Sequence, residues 1–451
     1  MMSTTVPART IGLFGATVTI IGFVVGASIF ILPGAIAAEA GPGVVLSYLV
    51  AGLLALFSCV VAAQIGVAFP TSGASFVAIG RLVSPLAGFV CIWMMIGAAA
   101  VAVALLGYGF ADYVHVWIAG VDRRIVGLVT ILLLTLINLF GVREAVSAQY
   151  VMVAAFAAAL VLFGVAALLN ADASNFVPFL PNGIEPALAG AVPAFFSFAG
   201  FMIIIELGGE VKNPGHAIPI ALGASFLVVL ALYSLTSIAV VGLIPWEELK
   251  GLDAPVAVAA ARVLPAPLAG FVSFAVLAAT ISSINVMLLA YSRDVYVLAR
   301  GGVFPKRMAK TIGRNSVPIG GILTIAAVSF AAYAFEAKIT EYATFVVIGV
   351  LCLQIGLGVA AMLLPGKPQY AELRDTFRLS AASLRFFAAG LVLLSAAFLF
   401  MIVRSAPATA ALALGYLALG VVYYLVRRTM LAKTSAPLEQ TLIKAIDDAS
   451  N

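Results

Sequence analysis

Apolar runs close to 20 residues recur along the whole chain. They cover residues 11–38, 43–69, 84–112, 124–141, 148–169, 188–210, 218–244, 266–292, 317–335, 341–364, 384–403 and 408–426. Each is long enough to cross a bilayer core of about 30 Å. Backbone polar groups left unpaired in lipid are so costly that such runs are helical. Only 10% of the residues are charged and 64% are hydrophobic, against about 25% charged in soluble domains. The pattern therefore predicts an all-α polytopic membrane protein of twelve spans.

The first run is not read as a signal peptide. Arg9 precedes it and Ala35-Ile36-Ala37 resembles a small-residue cleavage site. Its apolar stretch, however, exceeds the roughly 7–15 residues of a signal core. An even number of spans places both termini on one side. Of the 24 Lys and Arg residues, three quarters then fall on that side, so the positive-inside rule makes the termini cytoplasmic. This distribution accounts for the net charge of +5 without a nucleic-acid partner. The segments between spans are too short for a sizeable soluble domain. Cys59, Cys91 and Cys352 lie within apolar runs, and the two histidines, His115 and His216, lie near loops. No metal or cofactor framework follows, and no paired acids or histidine clusters suggest an enzyme.

Two spans carry residues that weaken helices. The first, about 28 residues long, holds Gly22, Gly26 and Ser28 at its middle. The sixth reads Phe195-Phe196-Ser197-Phe198-Ala199-Gly200-Phe201-Met202, then Glu206-Leu207-Gly208-Gly209-Glu210. Glycine inside a helix costs about 1 kcal/mol relative to alanine. Irregular backbone at membrane depth survives only where it is buried or lines a cavity. A mid-span break bares amides at the start of one half-helix, which suit a carboxylate. It also bares carbonyls at the end of the other, which suit an ammonium or Na⁺. Interruptions five helices apart point to inverted repeats with a binding site between them.

Four motifs, in order, resemble the amino acid–polyamine–organocation (APC) family of transporters. They are Gly26-Ala27-Ser28-Ile29-Phe30; Phe69-Pro70-Thr71-Ser72-Gly73-Ala74-Ser75-Phe76 with Arg81 and Trp93; Phe198-Ala199-Gly200-Phe201 with Gly209-Glu210-Val211-Lys212-Asn213-Pro214; and Ser292-Arg293 with Ala299-Arg300-Gly301-Gly302-Val303-Phe304-Pro305. The resemblance implies a LeuT-type fold. Residues 11–169 and 188–364 would form two inverted five-helix repeats with helices 1 and 6 discontinuous. Residues 384–426 would add two peripheral helices and 427–451 a cytoplasmic tail. It also implies secondary transport, by alternating access, of an amino acid or related amine across the cell (inner) membrane, coupled to H⁺ or Na⁺ or working by exchange. Three positions depart from the family pattern: Ser28 replaces a glycine, Met202 an acid and Gly301 an aspartate.

By motif position, the amides of Ala27, Ser28 and Ile29, beside Gly26, are expected to cap a substrate carboxylate. Carbonyls near Gly22, Phe23, Val24, Phe196 and Ala199 are expected to take the ammonium. Phe196 is the expected aromatic gate, with Phe201 and Met202 lining a side-chain pocket. Glu206, deep in an apolar run, is open to three roles: amine ligand, proton exchanger or structural brace. Glu210 reads as an inner-gate or structural residue. Ser282 and Ser283 in the eighth span are candidate oxygen ligands for Na⁺ as coupling ion. Met202 in place of an acid favours a small or neutral amino acid over a cationic one. The alternatives are a polyamine or organic-amine carrier using Glu206, and a transporter-like sensor.

Overall fold

The computed structural model describes residues 9–443 apart from 10, 27, 72, 119, 141–144, 253, 313–316, 374, 375, 432–437, 439 and 440. Helices dominate. In chain order they are α1 (Leu13–Val25), α2 (Ser28–Ala40), α3 (Val44–Ala68), α4 (Ala74–Leu82), α5 (Pro85–Trp117), α6 (Arg123–Phe140), α7 (Ala145–Asn170), α8 (Ile184–Phe196) and α9 (Ile203–Glu206). There follow α10 (Pro214–Leu243), α11 (Pro255–Val263), α12 (Ala266–Arg300), α13 (Ile319–Tyr333), α14 (Ile339–Leu363), α15 (Pro368–Ala371), α16 (Ala381–Ser405) and α17 (Pro407–Leu431). A two-stranded antiparallel ribbon, β1 (Thr311–Ile312) and β2 (Val317–Pro318), joins α12 to α13.

Among the described residues, nine helical stretches are long and apolar enough to cross a membrane. One of these, Leu13–Ala68, has 56 residues, which at 1.5 Å per residue is about 84 Å of helix, far more than one crossing needs. It is divided at Gly26 and again at the 3₁₀ turn Gly41–Gly43. The chain is thus a multi-pass helical membrane protein.

Polar residues set several helix ends. The Ser84 hydroxyl accepts from the Ala87 amide at 3.1 Å and Pro85 opens α5. The Ser380 hydroxyl does the same for Ser383 at 3.0 Å at the head of α16. In the loop after α7, the amide and hydroxyl of Ser174 donate to Asp172 at 2.8 and 2.7 Å. These bonds hold the exposed Asp172 carboxyl below the usual carboxylate range.

Long α5 and α12 run through the middle and pack on each other. Helix α14 packs on α5, α3 on α8 and α10, and α1 on α10. Helices α16 and α17 lie at the periphery, with outward residues such as Leu393, Leu412 and Leu419 exposed; α6 likewise exposes Leu132 and Leu133. An apolar outer face of this kind suits acyl chains. Polar side chains inside the bundle pair between helices, as expected where lipid offers no partner. The Asn138 amide donates to Asn285 at 2.7 Å, joining α6 to α12. Gln354 of α14 donates to Ser58 of α3 at 3.1 Å and accepts from Ser395 of α16 at 3.3 Å. Helix α17 is fastened to α5 reciprocally. The Trp93 indole N–H donates to the Tyr416 carbonyl at 2.9 Å, and the Tyr416 hydroxyl donates to the Trp93 carbonyl at 3.1 Å. Their rings stack with centroids 5.0 Å apart.

Candidate functional site

Neither half of the first span can cross a bilayer alone, since 13 residues make only about 20 Å of helix. Helix α1 ends at Val25, and Gly26 adopts φ 37°, ψ −150°, a conformation that favours glycine. A Cβ there would also sit 2.5 Å from the Ser283 hydroxyl of α12. Ser28 then opens α2, whose first amides have no acceptor within their own helix. The interruption falls at Gly26; Gly22 lies inside α1, buried and helical.

The sixth span is broken in a comparable way. Helix α8 ends at Phe196, Ala199–Met202 form a 3₁₀ turn, α9 is a single turn, and Gly208–Glu210 form another 3₁₀ turn. The two breaks touch. A Cβ on Gly200 would lie 2.6 Å from the Phe23 ring and 3.1 Å from the Val24 Cα. Glycine is what permits this approach.

Tyr233 of α10 ties the breaks together. Its hydroxyl lies 2.7 Å from the Val24 carbonyl and 2.7 Å from the Ser197 carbonyl. These are carbonyls bared by the ends of α1 and α8. The Phe198 ring meets Tyr233 edge-on at 4.9 Å.

A cavity of about 40 Å³ lies between the breaks. Phe23, Val24, Gly26 and Ser28 form one side and Phe196, Ala199 and Gly200 another. Helix α5 contributes Met95, Ala98, Ala99, Ala102 and Leu106, α12 contributes Ser283, Met287 and Tyr291, and α14 contributes Val346 and Val350. The volume holds about three waters at roughly 10–15 Å³ each. No charged side chain is among the described residues that line it. The Ser283 hydroxyl is buried without a hydrogen-bond partner.

Of the residues singled out from sequence, Phe23, Val24, Gly26, Ser28, Phe196, Ala199 and Ser283 meet around this cavity. Ala27 lies outside the described residues. Gly22, Ile29, Phe201, Met202, Ser282 and Glu206 do not line it. Ile29 and Ser282 are buried in packing. Phe201 is buried facing away from the cavity, stacked on Phe198 at 6.5 Å and near Phe226 of α10 at 6.1 Å. The Val24 carbonyl, expected to await an ammonium, lies against Tyr233. Glu206 points to the start of α4, beside Ser75.

The sequence reading missed Tyr233 and the walls from α5 and α14. Tyr233 had a signal, because a tyrosine inside an apolar span needs a partner for its hydroxyl. The small run Gly97-Ala98-Ala99-Ala100 was legible as a close-packing face, but not as a cavity wall.

One end of the molecule is closed by chain pairing. Ile11, just before α1, forms a parallel bridge with Val211. Its amide donates to the Glu210 carbonyl at 2.9 Å, and its carbonyl accepts from the Lys212 amide at 2.8 Å. The Glu210 carboxylate pairs with Arg293 of α12 at 3.2 Å. This is the end that carries Lys212, Arg293 and Arg300.

The family model for amino acid permeases matches residues 15–406. A branched-chain amino acid permease of Lactococcus lactis is 29% identical over 370 residues, 74% of this chain and 79% of the relative. A methylthioribose transporter of Bacillus subtilis is 26% identical, over 82% of this chain and 84% of its own. A gamma-aminobutyric acid permease of the same organism is 28% identical over 68% of each.

Proposed function

Because the chain belongs to the amino acid permease family, we propose that it is a secondary active carrier for a small or apolar neutral amino acid, working by alternating access. The observation that carries this reading is the cavity between the two helix breaks, which has peptide groups at its ends and no charged side chain among its described lining. The amides opening α2 suit the substrate carboxylate. The Phe23 carbonyl region beside Gly26 suits the ammonium. Phe196 covers the substrate, and Ala98, Ala99, Ala102, Val346 and Val350 receive its side chain. Relatives named for branched-chain amino acids agree with such a lining.

In this reading the chain has twelve spans in a LeuT-type arrangement. Residues 11–169 and 188–364 are the inverted repeats, 384–426 the peripheral helices and 427–451 the tail. The meeting of the two breaks at Tyr233 supports it. Both termini face the cytoplasm from the cell membrane, in keeping with the basic residues at the end closed by Ile11 and Val211. The substrate is bound while that end is closed and is released when the Ile11–Val211 pairing and the Glu210–Arg293 pair separate. Na⁺ coupling rests on Ser283, which offers a free oxygen beside the first break.

A polyamine or organic-amine carrier needs a carboxylate in the cavity. Glu206 lines no part of it, which favours the neutral substrate. The test is counterflow in proteoliposomes preloaded with unlabelled amino acid. Leucine, valine and alanine are expected to compete, and lysine and putrescine to be inert. Competition by putrescine that is lost in Glu206→Gln would reverse the assignment.

A further inference from the structure

The chain beyond α17 returns to the molecule. Leu438, Thr441, Leu442 and Ile443 are helical. Leu438 and Leu442 are spaced i, i+4, so they share one face of a helix. They are 1% and 0% exposed, while Ile443 is 48% exposed. Chain ends stay loose unless they are tied down, and these two leucines are the tie.

Their seat is the end of α12. A Cβ on Gly301 would lie 2.8 Å from Leu442 Cδ2, and one on Gly302 would lie 3.9 Å from Leu438 Cδ1. Gly301 has φ −69° and ψ −1°, a right-handed conformation open to any residue. Its backbone does not require glycine, whereas room for Leu442 does. Gly301 is also a position where the chain departs from the family pattern, with glycine in place of aspartate. An acid there would set a charge against the leucine.

The same turn is fastened to α17. Arg427 donates to the Val303 carbonyl at 3.0 Å and to the Gly302 carbonyl at 2.8 Å. The Tyr423 hydroxyl donates to the Val303 carbonyl at 2.9 Å. Tail, α17 and the end of α12 meet in one joint.

What is held there reaches the cavity. Helix α12 is a single helix of 35 residues. Residues 271–300 include no glycine or proline at which it would kink. It carries Ser283, Met287 and Tyr291 in the cavity wall, and Arg293, the partner of Glu210 at the closed end. Arg293 is about two turns from Gly301 at 3.6 residues per turn. An unbroken rod moves as a unit, so a hold on Gly301 is a hold on Arg293.

We propose that the segment 438–443 is a built-in restraint on opening. Seated on Gly301 and Gly302, it keeps α12 where Arg293 meets Glu210. Opening of the Ile11–Val211 end shifts α12 and unseats the two leucines. Coupling of this kind is reciprocal: lifting the tail favours opening, and opening lifts the tail.

This inference rests on the transport reading for what opening achieves, and the test separates the two. In full-length protein with Cys59, Cys91 and Cys352 changed to alanine, Ser28→Cys in the cavity wall reports opening by its alkylation with a permeant maleimide. Leu442→Glu and Gly301→Asp each lift the tail, from opposite sides of the contact. Each is expected to speed alkylation by about fivefold or more. The two together should do no more than either alone, as for residues in contact. The thermal midpoint in detergent should stay within about 2 °C of the parent. A parental or slower rate in either variant overturns the proposal. If the rate rises but the midpoint falls, the reverse experiment decides, with Leu442→Cys as reporter in the same background and Glu210→Ala added. Faster alkylation at 442 supports the restraint, and an unchanged rate refutes it. Absence of wild-type counterflow with every amino acid would sink the transport reading, while the labelling rates, read without transport, still decide the restraint.

Discussion

The Tyr233 hydroxyl sits 2.7 Å from the carbonyl oxygen of Val24. It is equally close to the Ser197 carbonyl, yet a phenol has a single proton to give. The ends of α1 and α8 thus share one donor. Tyr233→Phe leaves both buried carbonyls without it, at a cost of about 1–3 kcal/mol. The expected result is a lower thermal midpoint in detergent and weaker substrate binding by scintillation proximity. An unchanged affinity would show that the phenol does not order the breaks.

Gly26 answers to two constraints, a positive φ and the nearby Ser283 hydroxyl. Gly26→Ala is expected to reduce substrate affinity by at least about tenfold, because one such strained residue costs of order 1–3 kcal/mol. Far-UV circular dichroism should remain that of the wild type. Ser28→Pro is expected to abolish binding while the protein stays folded. Wild-type affinity in either variant would remove the carboxylate cradle.

The alanines of α5 set the room for a side chain. Ala102→Val adds two methyl groups to the wall, and overpacking of this kind costs about 1–3 kcal/mol. Competition assays should show leucine losing about tenfold relative to alanine. Equal losses for both would mean that α5 does not face the side chain.

The Glu210–Arg293 pair and the Ile11–Val211 bridge close the same end. With Cys59, Cys91 and Cys352, the three cysteines of the chain, all changed to alanine, a Ser28→Cys reporter in the cavity wall carries the labelling. Adding Glu210→Ala is expected to speed its alkylation by a permeant maleimide several-fold. Identical rates would place the closure elsewhere.

The interruptions were legible because glycines and aromatics stand out within apolar runs. Gly26 and the Phe198–Gly200 turn lie where the sequence placed them. Gly22 misled, since a lone glycine costs a helix only about 1 kcal/mol and here lies buried inside α1 without ending it. Phe201 and Met202 were expected in the pocket because they follow the break, but the 3₁₀ turn rotates Phe201 towards α10. The remaining walls come from α5, α12 and α14, far apart in the chain. Which face of a uniformly apolar helix meets a cavity is decided by its neighbours, and no periodicity in Met95–Leu106 or Val346–Val350 records it. Glu206 was visible as an oddity, a carboxylate deep in an apolar run.

The paired clasp between Trp93 and Tyr416 bears on motion. Helix α5 forms a wall of the cavity, and α17 is bolted to it by two reciprocal bonds and a ring stack. The outermost helix therefore travels with that wall. A spectroscopic label on the lipid side of α17 would share the frame of α5, and distances measured from it to α1 would report the swing of the broken rod without disturbing the substrate chamber.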